Sequence, residues 1–197
     1  LALVFTFTFF TSQGARQCDL ILAANAVLMT LHNLLSFGLD GLAHAAEALV
    51  GKAYGAKNGA ALQRSVALTL RWSLIIAAAY SVMFLLAGTT LVSVLTDLPE
   101  VRNTAFEYLP WLIVSPMISV WSYLYDGVYV GVTRSRAMRD IMVGSTILIF
   151  LPAWYFLQPL GNHGLWLAFI LFMVSRGVGM HYYYRHHIVG ELQVSSA

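Results

Sequence analysis

The sequence predicts an all-α membrane protein, a bundle of six transmembrane helices, and three observations support this fold class. Hydrophobic residues make up 59% of the 197 residues and charged residues only 10%, whereas a soluble domain carries about 25% charged residues. The mean hydropathy is +0.72. The apolar runs are long and lack the period-two alternation of a half-buried β-strand. Because lipid is as apolar as leucine, a bilayer accommodates a surface that water would not.

Six apolar segments are the predicted helices, at about 1–11, 20–53, 62–86, 108–132, 138–157 and 164–183. The first is short: about twelve helical residues reach only about 18 Å, less than a hydrocarbon core of about 30 Å. We therefore expect this helix to be cut and the chain to be a fragment of a longer protein. A short amphipathic turn is predicted at 89–95, before Pro99. Residues 1–190 are predicted to form the membrane unit, and 191–197 a cytoplasmic tail.

Basic residues alternate between the two sides of the predicted bundle. Arg16 and Arg102 fall on one side. The opposite side holds nine: Lys52, Lys57, Arg64, Arg71, Arg134, Arg136, Arg139, Arg176 and Arg185. Cytoplasmic loops are enriched in Lys and Arg, so this bias predicts that both ends of the segment are cytoplasmic. Aromatic residues, Trp166 among them, are predicted to mark the membrane interfaces, with simple packing as the alternative.

The second helix has one polar face within an otherwise apolar stretch. Steps of three or four residues, which keep one side of a helix, connect Asn33, Ser36, Asp40, His44 and Glu47. At about 34 residues this helix would reach about 51 Å, so it must tilt, bend or project. Gly38 and Gly41 flank Asp40 and suggest a bend.

The fourth helix repeats this pattern. Its polar face comprises Ser115, Ser119, Ser122, Asp126 and Tyr129, with Tyr123 beside them. Pro110 and Pro116 are expected to kink its first half because each lacks a backbone donor. Small residues four apart, the pairs Gly127/Gly131 and Gly51/Gly55, are predicted to allow close helix contact.

Two interpretations of the polar faces stay open. A carboxylate at the centre of a spanning helix costs about 2.5–3.5 kcal/mol, so it normally faces a cavity or a partner. Asp40 and Asp126 are expected to line a wet, proton-linked cavity. Alternatively, the acids pair with one another and His44, or with Arg134 and Lys52, and hold the bundle together; for Glu47 the two interpretations are equally weighted. The candidate substrate and ion pathway consists of Asn33, Ser36, Asp40, His44, Glu47, Ser119, Ser122, Tyr123, Asp126 and Tyr129.

Other classes of chemistry lack their residues in this sequence. A single cysteine, Cys18, excludes an intramolecular disulfide and a CxxC site. His44 with Glu47 supplies too few ligands for a catalytic zinc, and no catalytic motif is present, so no enzyme, metal or cofactor is expected. The net charge of +2 is too small to indicate nucleic-acid binding.

Four stretches resemble a known family, and together they span nearly the whole chain up to about residue 187. They read GARQCDLILAANAVL at 14–28, LDGLAHAAEALVGKAYGA at 39–56, YDGVYVGVTR at 125–134 with Met138 and Arg139, and LGNHGLWLA at 160–168. The sequence is similar to the C-terminal half of MATE (multidrug and toxic compound extrusion) transporters, in the branch called DNA-damage-inducible protein F.

This resemblance implies a twelve-helix transporter with two six-helix lobes, of which this chain is the second. It implies proton- or sodium-coupled efflux of organic, often cationic, compounds by alternating access, in the bacterial inner membrane. The implied partners are lipid, the N-terminal six-helix lobe and organic cations, without nucleic acid. The visible part of the first helix lacks the acid that some members place there. Asp126 lies on the helix that carries a cation-site acid in sodium-coupled members, displaced by about one turn.

Two alternatives accompany this interpretation. The first is a lipid-linked oligosaccharide flippase of the same superfamily, whose cavity would be rich in Arg and Lys for pyrophosphate. The buried spans of this sequence are predicted to be acidic, with basic residues confined to the cytoplasmic side, which favours cationic cargo. The second is a membrane fragment that folds but transports nothing.

Overall fold

The computed structural model describes residues 2–190, and these form six helical rods. The elements in order are α1 (Ala2–Gln17), α2 (Asp19–Gly55), α3 (Gly59–Leu95), α4 (Pro99–Gly131), α5 (Ser135–Ser145), a π-helical segment (Thr146–Phe150), α6 (Leu151–Leu157), a short 3-10 turn (Gln158–Leu160), α7 (Gly161–Tyr183) and a second π-helical segment (Tyr184–Ile188). The predicted tail at 191–197 lies outside the described residues.

Membrane-length helices dominate the described chain. Three helical stretches are long and apolar enough to cross a bilayer: Asp19–Gly55, Gly59–Leu95 and the run Ser135–Ile188. That run reverses at Gly161, which has a left-handed φ of 57°, a conformation that glycine adopts without penalty. α2 and α3 each have 37 residues, or about 56 Å at 1.5 Å per residue. Both therefore extend beyond a hydrocarbon core or tilt within it.

The segment at 89–95 is the last two turns of α3, so the predicted surface turn is wrong. No Gly or Pro interrupts the helix after Gly88, and Val92 is fully buried against the core. The chain leaves the helix at Thr96. α4 then begins directly at Pro99 rather than at 108, because a proline in the first turn has no backbone donor to lose.

Three glycines bring the backbones of α2 and α4 into contact. A Cβ added to Gly127 would overlap the carbonyl oxygen of Ala43, and one on Gly131 would lie 2.6 Å from the carbonyl oxygen of Glu47. A Cβ on Gly51 would lie 3.2 Å from the Gly131 oxygen. The predicted close contact is confirmed for these glycines. It is wrong for Gly55, which has nothing within 4 Å of its Cβ position.

The glycines inside α2 and the prolines inside α4 leave both helices continuous. Gly38 does not interrupt α2; its missing Cβ makes room for the ring of Tyr80 on α3. In α4, Pro116 cannot donate to the Leu112 carbonyl. The hydroxyl of Ser115 donates to that oxygen instead, at 3.0 Å, so the carbonyl remains satisfied.

An aromatic core joins α1, α2 and α7 near the α1–α2 turn. The ring of Phe10 packs edge-on against Trp166 at 5.1 Å between centroids, and Phe169 lies 5.7 Å from Phe10. Trp166 is fully buried, which favours the packing alternative over a position that faces the headgroups. Its indole N–H donates to the Asn25 side chain at 3.0 Å, which satisfies its polar atom inside the bundle rather than at the headgroups.

Candidate functional site

An ion pair inside the bundle forms the centre of the site. Arg176 on α7 donates from Nη2 to Oδ2 of Asp126 on α4, at 2.5 Å. The Arg176 side chain is 1% exposed and the Asp126 side chain 26% exposed. α4 and α7 run parallel here, because Ser122 donates to the Met173 carbonyl (2.9 Å) and Tyr129 to the Met180 carbonyl (2.8 Å). The two charges therefore lie at the same depth.

The position of Arg176 corrects the sequence analysis. Arg176 is predicted at the cytoplasmic end of the sixth helix, but its side chain lies buried within the bundle. The basic bias becomes eight residues against two, which keeps its direction. The prediction that basic residues are confined to the cytoplasmic side is also wrong. The alternative in which the acids find partners inside the bundle applies to Asp126, but with Arg176 in place of the expected Arg134 or Lys52.

Asp40 on α2 belongs to the same group of charges. It is half-buried, and its charge interacts with those of Arg176 and His44. The Tyr123 hydroxyl on α4 lies within electrostatic range of Arg176, Asp40 and Asp126. It also lies 2.5 Å from the hydroxyl of Ser36. The predicted faces of α2 and α4 therefore meet at Ser36, Asp40, Tyr123 and Asp126, with Arg176 as the cation; we call these five residues the charge cluster.

The remaining polar face of α2 is open in the described chain. Asn33 and His44 are exposed, and Glu47 is half-buried. His44 Nδ1 lies 3.5 Å from Glu47 Oε2, with side chains 80% and 41% exposed. Asp40 makes no direct hydrogen bond or ion pair within residues 2–190. This row therefore presents groups that can bind polar or cationic partners but are not used for packing.

The other α4 candidates are enclosed within the bundle. Ser119, Ser122 and Tyr129 are buried. The hydroxyls of Ser122 and Tyr129 donate to carbonyls of α7, as described above. Ser119 Oγ has no hydrogen-bond partner among the described residues. Their place in a substrate pathway remains a prediction, and the observed contacts of Ser122 and Tyr129 attach α4 to α7.

Two buried polar features were missed from the sequence. His32 is fully buried, with Nδ1 3.5 Å from Ser115 Oγ and Nε2 unpaired within the described chain. It lies one four-residue step before Ser36, so the period used for the α2 face could have found it. Asn25 and Asn162 form two mutual hydrogen bonds of 2.7 and 2.9 Å. No periodic signal marks this pair, because its members lie 137 residues apart.

The chemistry available to the site is the binding of charge. Across residues 2–190 no three His, Cys, Asp or Glu side chains are grouped so as to hold a metal ion. When both are ionised, Asp40 and Asp126 bring two negative charges against the one positive charge of Arg176. Such an arrangement can hold a proton or attract an organic cation.

Comparison with known proteins identifies relatives of the chain. The sequence model of the MatE family matches residues 2–156. DNA damage-inducible protein F of Escherichia coli is 39% identical over 191 residues, which are 95% of this chain and 40% of that protein. Protein DETOXIFICATION 45, chloroplastic, of Arabidopsis thaliana is 22% identical over 183 residues, 90% of this chain and 32% of that protein.

Solved structures share the fold. An outward-facing multidrug resistance MATE family transporter of the MOP superfamily matches with a TM-score of 0.88 at 15% identity, over 98% of this chain and 44% of that one. The chain spans less than half the length of each of these relatives.

Proposed function

Because the chain belongs to the MatE family of transporters, we propose that it forms one six-helix lobe of a two-lobe transporter that exports organic compounds in exchange for H⁺ or Na⁺. The open polar row on α2 is the observation that supports this most directly. α2 is long and apolar enough to cross a membrane, yet its Asn33 and His44 are exposed and its Asp40 is only half-buried. Polar groups at membrane depth face a water-filled cavity or another protein surface, since lipid cannot satisfy them. A cleft shared with an N-terminal lobe provides both.

The charges of the row favour cationic cargo. Asp40 and Glu47 are partly exposed acids. His44 lies within reach of both charges, and the charge of Arg176 also reaches Asp40. Arg176 is the one Lys or Arg that is buried within residues 2–190, and it is bonded to Asp126. A flippase for pyrophosphate-linked sugars would need unpaired basic groups facing its cavity, so the structure favours the drug exporter.

Alternating access would follow from a change of charge in the cleft. A proton or metal cation on an acid and a cationic compound beside it compete for one negative site, so each would favour a different state of the transporter. Ligand sites at the interface between two repeats are typical of secondary transporters.

Transport in vesicles tests the proposal. The full-length transporter that contains this lobe is expected to export ethidium, a fluorescent organic cation, when a proton or sodium gradient is imposed. Asp40→Asn should reduce that export. Asp140→Asn is the matched control, because Asp140 is exposed and bonded to its neighbour Arg139 at 2.7 Å; it should leave export unchanged. Absence of export under both gradients would refute the proposal, and export unaffected by Asp40→Asn would remove this lobe's role in it.

Orientation can be tested with Cys18. It is the single cysteine of this chain, it is exposed, and it caps the start of α2 at the α1–α2 turn. We propose that this turn is periplasmic and that both ends of the segment are cytoplasmic, in a bacterial inner membrane. In cells expressing a full-length protein with no other cysteine, a membrane-impermeant maleimide should label Cys18. A cysteine moved to the α2–α3 turn, as Cys18→Ser/Asn58→Cys, should be protected; the reverse result would invert the topology.

A further inference from the structure

The buried guanidinium of Arg176 has one strong acceptor in the described chain. Its Nη2 bonds to Asp126 at 2.5 Å, while Nη1 has only the Met173 sulfur at 3.8 Å and Nε has no hydrogen-bond partner. The Phe172 ring lies 5.7 Å from the guanidinium carbon. Arginine keeps its charge in proteins, and removing one partner of a buried pair leaves an uncompensated charge. Arg176 and Asp126 are therefore held together.

Asp126 consequently offers little to a free cation. Its Oδ2 is bonded to Arg176, and its Oδ1 is a buried atom without a partner among the described residues. A sodium ion would need several oxygen ligands around it, and would have to displace a guanidinium that has no other acceptor to receive it. The positive charge that a coupling ion would bring to Asp126 is already present in the fold.

Asp40 differs from Asp126 in its contacts. Both are half-buried, but Asp40 has no direct hydrogen bond or ion pair within residues 2–190. The groups whose charges reach it are His44 on its own helix and Arg176 on α7, and the Tyr123 hydroxyl and Asp126 on α4 belong to the same cluster. Among the described residues it is the one carboxylate of the charge cluster with neither oxygen bonded to a protein group, so both oxygens can take a proton or a ligand.

From these contacts we infer that Arg176 is a specificity-determining residue: it serves as a fixed counterion of Asp126, keeps Na⁺ off that carboxylate, and leaves Asp40 as the exchanging acid of this lobe. This inference rests on the proposed antiport. It deepens that proposal by selecting H⁺ as the ion that this lobe exchanges. The acids alone would not predict this ion preference, because it depends on the guanidinium of Arg176.

Thermal unfolding of the full-length transporter in detergent, in equal concentrations of NaCl and KCl, tests the inference without any transport measurement. The wild type should unfold at the same temperature in both salts. Arg176→Gln frees Asp126 and should unfold at a higher temperature in NaCl than in KCl. Arg176→Gln/Asp126→Asn, which removes both charges, should lose that difference, and Arg176→Lys, which keeps the cation, should behave as the wild type. Sodium-specific stabilisation of the wild type that Asp126→Asn abolishes would overturn the inference, as would a folded Arg176→Gln variant with no sodium effect.

A second measurement uses the unmodified protein and does not depend on whether Arg176→Gln folds. Dicyclohexylcarbodiimide reacts with protonated carboxyl groups at membrane depth. Peptide mapping by mass spectrometry should find the adduct at Asp40, and its yield should be unchanged when NaCl replaces KCl. An adduct at Asp126 instead would overturn the inference. If the transporter exports nothing under any gradient, the proposed antiport fails, while the two salt series and the adduct map still decide the role of Arg176.

Discussion

Gly127→Ala is expected to destabilise the lobe through the contact between α2 and α4. The added methyl would lie well inside van der Waals distance of the Ala43 carbonyl. The atoms that it meets are backbone atoms of the long helix α2, which have no rotamer to change. Overpacking of this kind costs about 1–3 kcal/mol. On the scale of soluble domains of this size, that corresponds to a lowering of Tm by about 2–12 °C. Because Asp126 precedes Gly127, separation of the helices would also disturb the charge cluster.

Heating the purified protein in detergent and measuring the fraction that remains monodisperse provides the assay. Gly144→Ala is the matched control, since a Cβ at Gly144 meets nothing within 4 Å and alanine favours a helix over glycine by about 1 kcal/mol. The control should retain or slightly raise the wild-type Tm. If Gly127→Ala and Gly144→Ala unfold at the same temperature, the two backbones are not as close as described, and the reasoning fails.

Three further predictions use the same assay. Asn25→Ala should cost about 1–3 kcal/mol for each polar group that it leaves unpaired, whereas Asn33→Ala on the same helix, at an exposed position, should be neutral; equal effects would contradict the buried network. Asp126→Asn should cost about 3–5 kcal/mol by leaving Arg176 uncompensated, and adding Arg176→Gln should restore most of that loss; a double variant no more stable than the single one would contradict the pairing. Tyr123→Phe removes one hydrogen bond to α2 and should cost about 0.5–1.5 kcal/mol; a larger loss than that of Asn25→Ala would show that the hydroxyl does more.

Composition and periodicity predict this fold well because both indicate whether each helix face meets lipid or the protein interior. With only 10% charged residues, most positions of this chain can be buried or can face lipid. Apolar runs long enough to cross a bilayer as single segments can only be helices. The same periodicity predicts that Ser36 and Asp40 share one face of α2 and that Asp126 lies on the polar face of α4. Helix ends were less predictable, since 89–95 has the composition of a surface turn but no residue that stops a helix.

Arg176 shows where sequence reasoning about the site failed. Its place toward the end of a span predicts a residue at the cytoplasmic end of the sixth helix, yet it is seven residues before Tyr183, about 10 Å inside the helix. The cost that indicated a role for Asp126 applies equally to Arg176. Both residues lie a similar distance before the ends of helices that finish on the same side, so opposite charges at matched depth were the available signal. The order of helices around the bundle, which makes α4 and α7 neighbours, required the structure.

The π-helical segment at Thr146–Phe150 has a consequence for how this chain can change in length. A π-turn contains one residue more than the α-helical turn that it replaces, and every position beyond it is rotated by about 100° relative to an uninterrupted helix. Elsewhere in a spanning helix, losing one residue would rotate the entire remaining half away from its packing partners. Within this segment a one-residue deletion would convert the π-turn into an ordinary α-turn and leave both flanking halves in register with their neighbours. Of the two π-helical segments within residues 2–190, Tyr184–Ile188 lies at the end of the α7 rod, whereas Thr146–Phe150 is followed by α6. The segment at Thr146–Phe150 is therefore the place where evolution can remove a residue from the middle of a rod without rebuilding the lobe.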